Sequence, residues 1–356
     1  MDIIIVSPSL DTTQNVSGIS SVTQFIIDNN CGQNYIHFEQ GKKDNEPGGI
    51  KRIVPLIAKL REWRRLLKKH PYAVIHYNFP LSKASIIRDV PFIKYAQLKK
   101  RKIVIHLHGG VYLTSEKTPS YLNAMLKTVF GKTTPIVVLS QLEKDAIVSR
   151  YEVVDVSVLP NCVDVKEQLH VKENNTQEKP ITFGYIGRIT KEKGMAFLLE
   201  ACKSLKKDGV EFKLVLAGKE DCPNEFIPYF EDSLKESFEY VGVVFGNKKE
   251  EFMNKLDLFV LPSFFEGLPM SLLECMAHGV VPITTNVGSI SDVVIDNKNG
   301  VFIKVKDSET IYNAICKLNA DREKLCKMSE VAHKTILSKF SPLEYVKQLN
   351  GIYSKL

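Results

Sequence analysis

The chain has 356 residues, 44% of them hydrophobic and 25% charged, with a formal net charge of +7. That length suits two domains of ordinary size, each burying its own core. The seven cysteines are odd in number and scattered without a C-x-x-C pair, which argues against a disulfide framework or a zinc site and fits a reducing cytoplasm. No apolar run approaches the roughly 20 residues needed to cross a bilayer, and Met1 to Val6 is too short and too acidic at its start for a secretion signal.

In chain order, residues 2–7 read as a strand. A polar loop from Ser9 to Ser17 follows, then a helix starting near Gly18-Ile19-Ser20. A strand, loop and helix with glycine at the turn is where an α/β domain receives a ligand. The loop lacks the full G-x-G-x-x-G, so no dinucleotide site is expected. The charge is uneven: residues 1–170 hold 23 Lys and Arg against 15 Asp and Glu, a balance of +8, and the remainder holds 25 against 26, or −1. Much of the excess lies in residues 51–70. There Ile53, Leu56, Ile57, Leu60, Trp63 and Leu67 recur at helical spacing, and Lys59, Arg61, Arg64, Arg65, Lys68 and Lys69 fill the other positions. Two readings stay open: a basic amphipathic helix, holding the only Trp, that lies on an anionic membrane surface, or a helix covering a sheet with its basic side in water.

Strands are predicted at Val74-Ile75-His76, at Ile103 to His108 behind the cluster Lys99-Lys100-Arg101-Lys102, and at Pro135 to Ser140. Strand alternation puts His106 and His108 on one face. Two histidines without a third ligand make a poor zinc site. Nucleic-acid binding is a weak use of the basic charge, because no nucleic-acid motif accompanies it. The polar stretch Val171 to Lys179 is the best linker candidate. Strands then recur at Ile181-Thr182-Phe183, Lys213 to Gly218, Glu239 to Gly242 and Leu258 to Leu261, and the tail from Ser341 to Leu356 is helical in pattern. Strands alternating with helices predict an α/β class with parallel sheets.

The most informative segment is Phe264-Phe265-Glu266-Gly267-Leu268-Pro269-Met270-Ser271-Leu272-Leu273-Glu274, in which two glutamates eight positions apart bracket a Gly-x-Pro turn. A helix starting near Pro269 would aim its free amides and positive dipole end at a phosphate. Glu274, about a turn in, could then reach a sugar hydroxyl. On one loop after a strand, Arg188 and Lys193 are close enough to converge on one diphosphate, Arg as a bidentate fork and Lys as a point charge. Read singly, each of these four residues is better explained as solvated surface charge. No Asp-x-Asp with apolar flanks ends a strand, so a metal-bound diphosphate is not indicated.

The Glu266 to Glu274 segment resembles the E-x(7)-E signature of the retaining nucleotide-sugar glycosyltransferases of family 4. Ala277-His278-Gly279-Val280-Val281-Pro282-Ile283-Thr284 is similar to that family's helix end and next strand. Gly288-Ser289-Ile290-Ser291-Asp292 and Asn299-Gly300 resemble its G-G-x-x-E and N-G elements, with Ser289 and Asp292 as departures. Gly187-Arg188 to Lys193-Gly194 resembles G-R-x-x-x-x-K-G, and Leu159 to Asp164 resembles I-P-N-G-V-D with Cys162 in place of glycine. Together these elements span about half the chain in the family's order.

The resemblance implies the GT-B fold: two Rossmann-like domains with parallel sheets facing across a cleft. An acceptor-binding domain over residues 1–165 would be joined by the tail 341–356, and a donor-binding domain would cover 180–338. It also implies roles. Glu274 would bind the ribose, and Glu266 would lie near the donor sugar and its phosphate, with the backbone around Gly267, Leu268 and Pro269. Arg188 and Lys193 beside Gly187 would stabilise the leaving diphosphate. The base would lie along Gly218 and the Tyr240 to Val244 stretch, Val243 included. Gly18 belongs to the loop that closes over donor and acceptor, and His108 would face the donor sugar.

The implied reaction is retaining and metal-independent, without a cofactor. It would move a sugar from a nucleotide diphosphate sugar, UDP-linked in preference to GDP-linked, to a glycan or polyprenyl-linked acceptor. The setting would be capsule, O-antigen or exopolysaccharide synthesis, in the cytoplasm or at the inner face of the cell membrane. A nucleotide-sugar epimerase of the same fold and a non-catalytic nucleotide-sugar-binding partner of another transferase are the alternatives.

Overall fold

A computed structural model describes residues 1–11, 14–15, 17–41, 53–114, 118–164 and 179–356. The predicted linker, apart from Lys179, and part of the Ser9 to Ser17 loop lie outside these. The chain forms two units, Met1–Asn161 with Pro342–Leu356, and Cys162–Ser341.

In the first unit the strands are β1 (Asp2–Ser7), β2 (Asn34–Glu39), β3 (Val74–Phe79), β4 (Ile103–Leu107), β5 (Ile136–Val138) and β6 (Val156–Val158). The helices are α1 (Gly18–Asn29), α2 (Ile53–Lys69), α3 (Lys83–Leu98), α4 (Val111–Thr114), α5 (Ser120–Lys127) and α6 (Gln141–Tyr151). The strands pair in parallel in the order β2-β1-β3-β4-β5-β6. The inner strands are near-continuous apolar runs, as burial on both faces requires.

The two faces of this sheet differ. One presents Ile4, Val6, Ile75, Tyr77, Phe79, Ile105 and Leu107 to a core that holds Trp63 of α2 and Phe92 of α3. Strand alternation turns Ile3, Ile5, His76, Asn78 and His106 the other way.

Trp63 decides between the two readings of α2. It is 0% exposed, its ring lies 4.8 Å from Phe38 and 6.3 Å from Phe92, and its indole N–H donates to the Phe92 carbonyl at 3.2 Å. The helix therefore covers the sheet, and Trp63 is not part of any membrane-facing surface. The Trp63 face is spent on the core, because a buried indole next to a carbonyl satisfies both its area and its donor. The outer side of α2 carries the basic residues, with Arg64 over the Tyr95 ring at 5.0 Å. Lys51 and Arg52 lie outside the described residues.

The second unit contains β7 (Ile181–Ile186), α7 (Met195–Lys207), β8 (Phe212–Ala217), α8 (Ile227–Leu234), β9 (Phe238–Tyr240), α9 (Gly246–Lys255), β10 (Leu258–Leu261), α10 (Met270–Ala277), β11 (Val281–Thr285), β12 (Val301–Ile303), α11 (Ser308–Ala320) and α12 (Arg322–Lys339). Its parallel sheet runs β12-β11-β10-β7-β8-β9. The order departs from β7 in both directions, so the point of reversal lies between β7 and β10, which pair directly.

The closing helix α13 (Pro342–Ser354) belongs to the first unit. It buries Tyr345, Leu349 and Tyr353. Asn350 and Asn30 at the end of α1 exchange side-chain amide hydrogen bonds at 3.0 and 3.1 Å.

Candidate active site

In open α/β sheets a ligand binds beyond the carboxyl ends of the strands where the order reverses. In the second unit those strands are β7 and β10. The loop after β7 carries Arg188 and Lys193, and the loop after β10 carries Glu266. The sequence therefore places its three candidate charges on the two loops that the topology selects.

Glycine makes the first loop possible. A Cβ on Gly218 would sit 1.7 Å from the Gly187 carbonyl oxygen, and Gly218 has φ +134, so two backbones meet where no side chain fits. The Tyr185 hydroxyl, at the end of β7, donates to the Arg188 carbonyl at 2.6 Å and fixes the turn from inside. Arg188 then points outward and pairs with Asp221 at 3.1 Å.

A 3₁₀ turn at Lys191–Lys193 leads to Gly194 and α7. Lys193 reaches back to Glu266, its ammonium 2.6 Å from the carboxylate. A backbone bond from the Phe264 N–H to the Glu192 carbonyl at 2.9 Å ties the two loops together.

Glu266 is held from the other side as well. A Cβ on Gly288 would lie 2.0 Å from the Glu266 carbonyl oxygen, and the Ser289 N–H donates to the Gly267 carbonyl at 3.1 Å. The departure Ser289 is thus buried behind the loop and contributes main chain to it. Asp292 is exposed on the following 3₁₀ turn, and Cys162 is buried in the same unit, its thiol pushed up by desolvation.

Helix α10 begins after Pro269, which supplies no side-chain cap. Its first-turn amides are the orphan donors that every helix start leaves, carrying the positive end of the dipole. Leu268 is 3% exposed, so its side chain is spent on the interior. Glu274 lies in the second turn and accepts from Lys249 of α9 at 2.6 Å. Two lysine–glutamate pairs, Lys193 with Glu266 and Lys249 with Glu274, therefore flank the start of one helix. Both are about a quarter exposed or less on each side. Beside them the Tyr240 hydroxyl donates to the Gly218 carbonyl at 2.7 Å, and Val243 is 38% exposed on the loop before α9.

The remaining candidates lie in the first unit. Gly18 is the first residue of α1, behind the N-cap Ser17, and a Cβ there would meet no atom within 4 Å, so nothing local demands glycine. His108 follows β4, its ring 4.1 Å from that of His106, as alternation predicts.

Sequence reasoning passed over His76. Its ring nitrogens hydrogen-bond the Tyr353 hydroxyl of α13 and, at 3.1 Å, His106. Burial pushes His76 and His108 down to about 3, and His106 well below its ordinary value. Lys249, Tyr185 and Asn78 were also missed. Lys249 sits in an ordinary Lys-Lys-Glu-Glu run with no local mark, and the other two lie just past the predicted strands, in the last residues of β3 and β7.

A pair of parallel Rossmann-like sheets, one with paired charges and an open helix start at its switch point, defines a protein of the GT-B class. Solved structures agree on the fold. HepE from Anabaena, determined with UDP-glucose, superimposes over 100% of both chains at TM-score 0.75 and 15% identity. Sucrose-phosphate synthase from Thermosynechococcus elongatus covers 99% of this chain and 98% of its own at TM-score 0.80 and 16% identity.

Residues 36–167 match the profile of glycosyltransferase family 4, and residues 166–335 match that of the glycosyl transferases group 1. The chain belongs to family 4 of the glycosyltransferases. Among its relatives, the Escherichia coli UDP-Gal:alpha-D-GlcNAc-diphosphoundecaprenol alpha-1,3-galactosyltransferase is 24% identical over 81% of this chain and 77% of that protein. The capsular polysaccharide biosynthesis glycosyltransferase CapM of Staphylococcus aureus is 25% identical over 87% of this chain and 86% of its own length.

Proposed function

We propose that the protein transfers a sugar with retention of configuration and without a metal. The donor is a nucleotide diphosphate sugar, UDP-linked in preference to GDP-linked. The acceptor is a hydroxyl of a glycan or polyprenyl-linked glycan, in capsule, O-antigen or exopolysaccharide synthesis. The observation that carries the reading is the pair of Lys–Glu contacts around the start of α10, at the strand ends where the second sheet reverses.

In this reading the diphosphate meets Arg188, Lys193 and the first-turn amides of α10, which offset the charge that grows on the leaving group as the glycosidic bond breaks. Lys193 is already held in place by Glu266, so little side-chain freedom is lost when the phosphate arrives. Glu274 takes the ribose hydroxyls, with Lys249 orienting its carboxylate. Glu266 faces the donor sugar, the Gly218 and Val243 backbones frame the base, and Gly18 lies with the loop over the substrates. His108 in the first unit meets a sugar hydroxyl. The polyprenyl-linked acceptor named for the Escherichia coli relative and the basic outer side of α2 suit work at the inner face of the cell membrane. That contact is electrostatic, without insertion of the helix.

The test is hydrolysis of a panel of UDP-, GDP- and ADP-sugars in the presence of EDTA, with the anomer of the released sugar followed by NMR. Hydrolysis of a UDP-sugar with the configuration kept is the expected result. Absence of both binding and hydrolysis across the panel would sink the reading, and acceptor-independent interconversion of two UDP-sugars would favour an epimerase.

A further inference from the structure

The polar face of the first sheet fixes the chemistry of one imidazole. Asn78 on β3 donates from its side-chain amide nitrogen to the Val6 carbonyl at 3.0 Å and to the Thr23 hydroxyl at 3.2 Å. A carbonyl oxygen can only accept, so the amide orientation is settled: turned over, Asn78 would set two carbonyl oxygens against each other. Its own oxygen therefore faces His108, and Nε2 of His108 lies 2.6 Å from it. That nitrogen must carry the proton. Turning the imidazole over would put a carbon there and lose the bond.

The rest of the setting keeps the ring uncharged. His76 and His106 are 0% exposed, so they form a dry, neutral layer behind His108. A neutral imidazole protonated on Nε2 has a bare lone pair on Nδ1.

We propose that Asn78 is a positioning residue that locks His108 in its Nε2–H tautomer, so that Nδ1 is presented as a hydrogen-bond acceptor for a substrate hydroxyl. The hydroxyl's identity as that of a sugar rests on the transferase reading above; the tautomer does not. The ring then recognises O–H groups and refuses a bare oxygen acceptor such as a phosphate oxygen, which an imidazolium would attract. The Val6 and Thr23 anchors make this a property of β1, α1 and β3 together, set before any ligand arrives.

Long-range ¹H–¹⁵N NMR of the full chain with ¹⁵N-labelled imidazoles reads this directly, the His108 signals being identified by their loss in His108→Gln. Between pH 6 and pH 8 the expected pattern is a protonated Nε2 and an unprotonated Nδ1. A protonated Nδ1, an even mixture of tautomers, or an imidazolium at pH 7 overturns the proposal. Asn78→Leu is expected to turn the single tautomer into a mixture. An unchanged pattern in that variant would show that Asn78 is not the cause, and if it fails to fold the wild-type pattern still decides. Adding UDP-glucose or UDP-galactose is expected to move Nδ1 toward the hydrogen-bonded range and leave Nε2 in place. Movement of Nε2 alone, or neither in a demonstrably bound complex, overturns the hydroxyl assignment. No binding of any UDP-sugar counts against the transferase reading and leaves the tautomer result intact.

Discussion

The polar face of the first sheet and the switch-point loops of the second place polar groups in opposite ways. In the first, His76, His106, Asn78 and Tyr353 are buried in a neutral network, each bond directional and most anchored to backbone or another strand. In the second, Lys193, Glu266, Lys249 and Glu274 are charged, partly exposed and paired across loops. A buried neutral network is costly to disturb and fixes geometry. Partly solvated ion pairs contribute little to stability but can be re-partnered by an incoming anion. The first arrangement suits orientation, the second the binding of charge, and substitutions should separate them.

The largest effect is expected at the charged loops and in activity alone. Lys193→Ala should lower the transfer rate by a factor on the order of 10² to 10³, by analogy with removing one preorganised donor from a developing charge, while the thermal midpoint stays nearly unchanged. A stability loss matching the activity loss would erase the distinction between the units. Next, His76→Phe should destabilise the first unit by about 1–3 kcal/mol, because the His106 nitrogen loses its buried partner and the Tyr353 hydroxyl loses one of its own. The measurement is urea unfolding followed by Trp63, the sole tryptophan of the chain and a core residue of that unit.

The pH dependence sharpens the contrast. The imidazole of His76 is held down to about 3 by burial, against an ordinary value near 6.5. Between these values the unfolded chain binds more protons than the folded one, so stability is complete above about pH 6.5 and falls as the pH drops toward 3. Each such histidine contributes a slope approaching about 1.4 kcal/mol per pH unit in that window. Trp63-detected unfolding between pH 7 and pH 4 should show the slope, and His76→Phe should flatten it. The smallest effect is expected at Asp221. Its pair with Arg188 is 36% and 47% exposed, so Asp221→Ala should change stability by less than about 1 kcal/mol.

The core of both sheets was legible in the sequence because inner parallel strands are continuous apolar runs. Of the strands that the residue pattern did not announce, β2, β6 and β12 are sheet edges, where the run shortens or mixes, while the inner β11 was marked by the resemblance alone. The residues of the charged loops carried a signal because glycine, proline and spacing mark turns and helix starts. Lys249 carried none: its reach to Glu274 exists only once α9 and α10 lie side by side. Asn78 and His76 were silent for the same reason, since a strand pattern records which face a residue takes and not what crosses to meet it. Trp63 shows the converse limit, for an amphipathic stripe looks the same whether a sheet or a membrane covers it.

The central claim is that the start of α10 holds a nucleotide through Glu274 while Glu266 attends to the sugar. Calorimetric titration of UDP into the wild type, Glu274→Ala and Glu266→Ala tests it most directly. A marked loss of affinity for Glu274→Ala, with Glu266→Ala close to the wild type, is the predicted result. Equal and negligible losses in both variants would contradict it.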